Sequence, residues 1–226
     1  MLHGLKKIFL PSYCTVCSQP VHSDGIFCTR CSYELPRTRY HHLRDNSTSD
    51  KLAGRFNFDK ATSLYYCRKG SSFLKPIYRL KYNGHTHIGE ELGRMLGYEL
   101  AVSGFIDGID AVIPVPLHPH KQKKRGYNQC SLIAKGLSSA CHIPVIESNL
   151  LRVSASGSQT KKGRELRWEE LKDAFAMKNA AALQGKHVLL VDDIITTGAT
   201  IEACVSALSA VEGLTVSIAS VGLACD

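Results

Sequence analysis

Residues 188–200 read Val-Leu-Leu-Val-Asp-Asp-Ile-Ile-Thr-Thr-Gly-Ala-Thr, and few folds accommodate that order of residue types. The apolar run at 186–191, opened by Gly185, predicts a strand buried on both faces of a parallel sheet. Two acids follow at its carboxyl end, where open α/β sheets bind ligands, so Asp192 and Asp193 are expected on a rim outside the core. Adjacent carboxylates there accept hydrogen bonds from hydroxyls or take a divalent cation. Thr196, Thr197, Gly198, Ala199 and Thr200 come next, ahead of a helix predicted over 201–210 from the spacing of Ile201, Val205 and Leu208. Free N–H groups at a helix start, threonine hydroxyls and a glycine that admits close backbone approach form a phosphate cradle. An isolated acid pair or Thr-Thr-Gly reads as an ordinary turn with a threonine cap. The complete run describes a ribose 5-phosphate site: acids for a diol beside a cradle for the phosphate.

Residues 188–200 resemble, position by position, the phosphoribosyl-pyrophosphate (PRPP) signature of the type I phosphoribosyltransferases. The resemblance implies an α/β fold with a parallel sheet flanked by helices. It also implies that Asp192 and Asp193 face the ribose 2- and 3-hydroxyls, that Thr196 to Thr200 wrap the 5-phosphate, and that magnesium accompanies PRPP. It says nothing of the acceptor.

Cys14, Cys17, Cys28 and Cys31 form a second strong pattern, two C-x2-C turns ten residues apart. Each turn brings two thiolates onto one ion, and the pair completes a tetrahedral sulfur shell that suits a structural Zn2+ with no open position. Iron in a rubredoxin-like site and a metal-free thiol cluster are the competing readings. Asp24-Gly25 and Phe27 between the pairs predict a hairpin, giving a zinc-ribbon-like N-terminal module. Nine cysteines without a secretory segment argue against a disulfide framework.

Composition is that of an ordinary globular chain: 226 residues, 44% hydrophobic and 21% charged. The start carries Lys6 and Lys7 after few apolar residues, and no run approaches the ~18 apolar residues of a membrane span, so a cytoplasmic protein is expected. A formal charge of +8 favours anionic partners, and a phosphorylated ligand or nucleic acid would each satisfy it.

Residues 37–59 are polar and thinly apolar and read as an irregular connection. A strand is predicted at 61–67 and helices at 73–81 and 89–101, where Gly89, Gly93 and Gly97 recur every fourth residue and suggest close packing. Lys81-Tyr82-Asn83-Gly84 joins those helices. A strand at 111–115 leads into Arg125-Gly126-Tyr127-Asn128, which opens a helix carrying Leu132, Ile133 and Leu137 and predicts a second anion site.

These stretches resemble a subfamily of the transferases, the ComF competence proteins and their GntX-like relatives, through the K-Y-x-G turn, the residues around 110–137 and an R...Q-T...R...A-F pattern. Arg152, Gln159, Thr160, Arg164, Arg167, Ala174 and Phe175 match that last pattern, while Lys162 and Glu170 depart from a usual leucine and asparagine. The resemblance implies that Arg125 meets pyrophosphate and that Arg164 and Arg167 belong to a flexible loop closing over the ligand. The expected organisation is a zinc-binding module at 1–40, a connection at 41–60 and a phosphoribosyltransferase-like domain at 61–226.

Function on this reading is magnesium PRPP binding, with an unidentified acceptor and a link to DNA uptake in natural transformation, single-stranded DNA and a DNA-uptake helicase being the partners implied. As an enzyme the chain would displace pyrophosphate from PRPP by a nitrogen nucleophile. Its rivals are a non-catalytic PRPP sensor or single-stranded-DNA scaffold and a nucleobase salvage transferase. No base-binding hood is recognisable, which weighs against salvage. Tyr127 and Trp168 lie near the basic stretches, but no interleaved aromatic platform of the kind single-strand binders use is legible.

Overall fold

The protein was analysed as a computed structural model that describes residues 12–21, 25–153 and 174–225. Its centre is a four-stranded, wholly parallel sheet of β3 (Ala61–Arg68), β4 (Ala111–Pro114), β7 (His187–Ile195) and β8 (Thr215–Cys225) in the order β3-β8-β7-β4. A parallel bridge between Val112 and Val145 extends the edge beyond β4. Val188, Leu189, Leu190 and Val191 are all inaccessible to solvent, as expected of a strand covered on both faces.

Alternation along β7 distributes these residues between two cores. Leu189 and Val191 join the face covered by α3 (Leu74–Tyr82), α4 (Thr86–Val102) and α6 (Gln129–Cys141). Val188 and Leu190 join the face covered by α7 (Ala199–Leu208) and by Leu52 of α2 (Ser47–Leu52). The result is a three-layer α/β domain, with the N-terminal module on the α4 side through Val16, Ile26 and Phe27.

The glycines on α4 set its distance from α6. A Cβ on Gly93 would lie 1.9 Å from the Ile133 carbonyl oxygen, and one on Gly97 would lie 2.6 Å from that of Leu137. Gly136 answers from the other helix, where a Cβ would come within 1.9 Å of the Glu90 carbonyl oxygen. The fourfold glycine spacing therefore lets the two backbones touch.

Two expectations change here. The strand at 186–191 runs on to Ile195, because β8 continues to pair with it as far as Ile195↔Leu223. Residues 37–59 are not irregular: they hold a 3-10 turn, Tyr40–His42, and α2, whose cap Asn46 accepts from the Thr48 and Ser49 N–H groups in a capping box. The polar composition that suggested a connection supplies a helix cap and a buried hydroxyl, Thr48, which donates to Ser63 at 2.9 Å.

A small antiparallel pair, β5 (Leu150–Arg152) and β6 (Phe175–Met177), brings Arg152 opposite Phe175 and stacks its guanidinium over that ring. Gln159, Thr160, Arg164, Arg167 and Trp168 lie outside the described residues. Among the described residues no helix is long and apolar enough to cross a membrane.

Candidate functional site

The extension of β7 places Asp192 and Asp193 inside the sheet, at 8% and 4% exposure, instead of on an open rim. Burial makes every partner of these carboxylates count. Asp192 Oδ1 accepts from the Asp193 N–H at 2.8 Å and from the Cys130 thiol at 3.4 Å. Asp193 Oδ1 accepts from Lys81 Nζ at 2.9 Å, whereas Asp193 Oδ2 is buried and has no partner among the described residues. A buried acceptor in that state marks a place for a donor that the described residues do not supply.

Burial first, and then the charge of Asp193, push the Asp192 carboxyl up to about 7. Burial pulls the Lys81 ammonium down, but the charge and hydrogen bond of Asp193 outweigh it, and Lys81 lies above the ordinary lysine value. Burial and the two acids hold the Cys130 thiol protonated. Neither Lys81 nor Cys130 was singled out from sequence as a site residue. Lys81 opens the K-Y-x-G turn, but no local pattern tells that it reaches a carboxylate 112 residues away.

Beyond β7, Thr196 and Thr197 are exposed and Gly198 caps α7 with φ of 83°, a left-handed conformation suited to glycine. The cap makes no side-chain hydrogen bond, and Thr197 Oγ1 accepts from the Ala199 N–H at 3.4 Å. A Cβ on Gly198 would come within 2.9 Å of Leu52 Cδ2, so α2 supports the loop from behind. Arg55 Nη1 pairs with Glu202 Oε2 at 3.1 Å and ties the same segment to the first turn of α7. Thr196, Thr197, Gly198, Ala199 and Thr200 thus form a turn between a buried acid pair and a helix start.

Arg125 differs from its expected position. It ends a short helix, α5 (Pro119–Arg125), and α6 starts only at Gln129 after the cap Asn128, whose Oδ1 accepts from the Cys130 N–H at 3.0 Å. At the start of α6 the Cys130 N–H is therefore taken by the asparagine cap. Arg125 donates instead to Gln129 Oε1 and lies 5.6 Å from the centroid of the Tyr82 ring. Tyr82 packs on Tyr78 at 4.7 Å between centroids, and both are exposed, at 66% and 61%. This exposed tyrosine pair on α3, which the sequence did not show, meets Arg125 at the end of the helix that carries the exposed Lys121, Lys123 and Lys124. The two tyrosines are four residues apart, a spacing that equally marks a core-facing helix stripe.

At the N-terminus the four sulfurs of Cys14, Cys17, Cys28 and Cys31 lie within 4.8 Å of one another, with Cys17 Sγ and Cys28 Sγ at 3.6 Å. Thiolates about 2.3 Å from one zinc in a tetrahedron are roughly 3.8 Å apart, so the cluster has the size of a zinc shell. The first C-x2-C turn closes between β1 (Ser12–Tyr13) and β2 (Pro20–Val21), and Cys28 caps α1 (Thr29–Glu34). Burial raises Cys14, but the N–H groups of Cys17, Cys28 and Val16 outweigh it and bring the thiol down to about 6. Backbone donors aimed at sulfur are what a metal-bound thiolate requires.

The profile of the phosphoribosyl transferase domain family matches residues 128–224, which contain Cys130, the acid pair and the turn after it. The DNA utilization protein YhgH of Shigella flexneri is 30% identical over 192 residues, covering 83% of this chain and 80% of that protein. The chain belongs to the ComF-like family of phosphoribosyltransferase-fold proteins. Competence protein F of Haemophilus influenzae is 29% identical over the same coverage of both chains, 83% and 80%. Competence protein ComFC of Bacillus subtilis is 36% identical over 90 residues, 40% of this chain and 34% of that one.

Proposed function

We propose that the chain binds magnesium PRPP, or a related ribose 5-phosphate, across the carboxyl end of β7. The observation that carries this is the buried acid pair with an unpartnered Asp193 Oδ2, placed one turn before the Thr196 to Thr200 loop and the helix start of α7. Asp192 and Asp193 take the ribose hydroxyls; Thr196, Thr197, Gly198, Ala199 and Thr200 take the 5-phosphate. Magnesium that arrives with PRPP supplies charge neutralisation of the pyrophosphate. Arg125 is proposed for that task, and Arg164 and Arg167 are proposed to join it from the segment between β5 and β6. Cys14, Cys17, Cys28 and Cys31 hold a structural zinc, which is the basis for separating a module at 1–40 and a connection at 41–60 from the domain at 61–226.

A ligand that binds only the folded chain stabilises it by about 2.7 kcal/mol at a concentration of 100 times its dissociation constant. For a chain of this size that is roughly 5–10 °C of melting temperature. Thermal unfolding with PRPP, ribose 5-phosphate and pyrophosphate, each with magnesium, tests the proposal. Stabilisation by the first two supports it, and stabilisation by pyrophosphate alone refutes the ribose part. PRPP consumption with candidate nitrogen nucleophiles then distinguishes a transferase from a sensor.

A second reading is favoured by the Tyr78–Tyr82 pair. Exposed, mutually tilted tyrosines with Arg125 over one ring, and with lysines on the same helix as Arg125, suit single-stranded nucleic acid, whose bases stack and whose phosphates take the charges. Both readings hold together, because Lys81 on the same helix faces inward to the acid pair while Tyr78 and Tyr82 are exposed. Participation in DNA uptake, with a helicase partner, is the role we propose for that surface.

A further inference from the structure

Lys81 binds the acid pair in a way that the ribose reading does not require. Its ammonium donates to Asp193 Oδ1 at 2.9 Å and makes the one salt bridge to the pair among the described residues. The side chain is held there: Tyr127 donates its hydroxyl to the carbonyl of Leu80, anchoring the last turn of α3 at the residue before Lys81. Cys130, Asp192 and Asp193 present ligand atoms within 4.8 Å of one another, and the two carboxylates of that grouping suit a divalent ion. The ammonium already holds one carboxylate oxygen of that grouping. A magnesium ion on Asp193 needs oxygen at about 2.1 Å and keeps several of its waters, and both conditions conflict with a cation already hydrogen-bonded to the same oxygen.

We propose that Lys81 is the resident cation of the Asp192–Asp193 pair: it neutralises and aims Asp193, leaves Oδ2 open to a ligand hydroxyl, and keeps a bare divalent ion off the carboxylates. This rests on the proposed function for what occupies Oδ2, but its exclusion of metal is a separate property of the chain. Lys81 is here a positioning residue that acts through Asp193. A lysine fits the task better than arginine, since a single ammonium meets one oxygen and leaves the second free, while a guanidinium fork engages both.

The test uses manganese(II) as the probe, titrated into the zinc-loaded full chain and followed by the electron paramagnetic resonance of free ion. The parent chain is expected to bind no manganese that Asp193→Asn removes. Lys81→Met and Lys81→Gln are expected to gain one manganese per chain, at least about tenfold tighter than any binding by the parent. Adding Asp193→Asn to Lys81→Met should abolish the gain. Melting temperature and zinc content confirm that each variant is folded. Manganese bound by the parent and lost in Asp193→Asn overturns the proposal without any Lys81 variant, and so does a folded Lys81→Met or Lys81→Gln that gains none. Failure of the ribose reading is seen elsewhere, as absence of PRPP binding by the parent, and leaves the manganese result standing.

Discussion

Asp192 and Asp193 differ in what surrounds them, and that difference sets a pH dependence. The Asp192 pKa in the folded chain, about 7, lies above its ordinary value of 3.8, chiefly through burial and then through Asp193. The folded state therefore holds a proton that the unfolded state releases. Stability from this group is fully present below about pH 4 and is lost as pH rises through about 7. A ribose hydroxyl bonds best to the ionised carboxylate, so affinity for ribose 5-phosphate should rise across about pH 6 to 8. Asp192→Asn should flatten that rise except for the contribution of the phosphate itself, whose second ionisation lies near pH 6. Titrations across that range with parent and variant check it; an unchanged slope in the variant would assign the rise to the ligand alone.

The elements of the domain depend on contacts that single residues announce only in part. Gly93 was legible as part of a spacing while Gly136 was not, and the structure shows what the spacing is for: each would drive a Cβ to 1.9 Å from a backbone carbonyl of the facing helix. Backbone cannot turn aside as a side-chain tip does, so Gly93→Ala and Gly136→Ala should each destabilise by at least the ~1–3 kcal/mol of core overpacking. A lower midpoint in urea unfolding checks this, and an unchanged midpoint would mean that the helices part at little cost. The strand and loop of 188–200 were legible because apolar run, acids and hydroxyls lie consecutively in the chain. The end of β7 was not, since it is set by β8 pairing as far as Leu223. Nor was α2, because polar residues at 37–59 look alike whether they cap a helix or cross solvent. Lys81, Cys130 and the Tyr78–Tyr82 platform depend on elements distant in sequence meeting, which periodicity does not reveal.

In the whole molecule, one chain combines a sulfur cluster, a buried acid pair and a basic, aromatic surface. The cluster should carry about one zinc, whose binding supplies on the order of 10 kcal/mol to such a module. Val16, Ile26 and Phe27 pack with the α4 core, so chelation should lower the melting temperature of the entire chain. Elemental analysis and melting before and after chelation check both parts. The surface on α3 and α5 should behave differently from the acid pair. Tyr82→Ala should weaken single-stranded DNA by about 1–3 kcal/mol. Each glutamine placed at Lys121, Lys123 or Lys124 should lower the salt slope by about 0.7 where that lysine meets a phosphate. PRPP binding should be unchanged in the lysine variants, and a parallel loss of both would show the two surfaces to be one.

The claim on which the rest depends is that Asp192, Asp193 and the turn after them hold a phosphorylated ribose. Isothermal titration of magnesium PRPP into the zinc-loaded chain measures it directly, with parent, Asp193→Asn and Asp192→Asn/Asp193→Asn compared at one pH and salt. Losing a charge-assisted hydrogen bond at a buried site costs roughly 1.5–3 kcal/mol, so the single variant should bind about 10- to 150-fold more weakly and the double variant should bind below detection. A parent chain that binds no PRPP, or a folded double variant that binds it as tightly as the parent, would contradict the account.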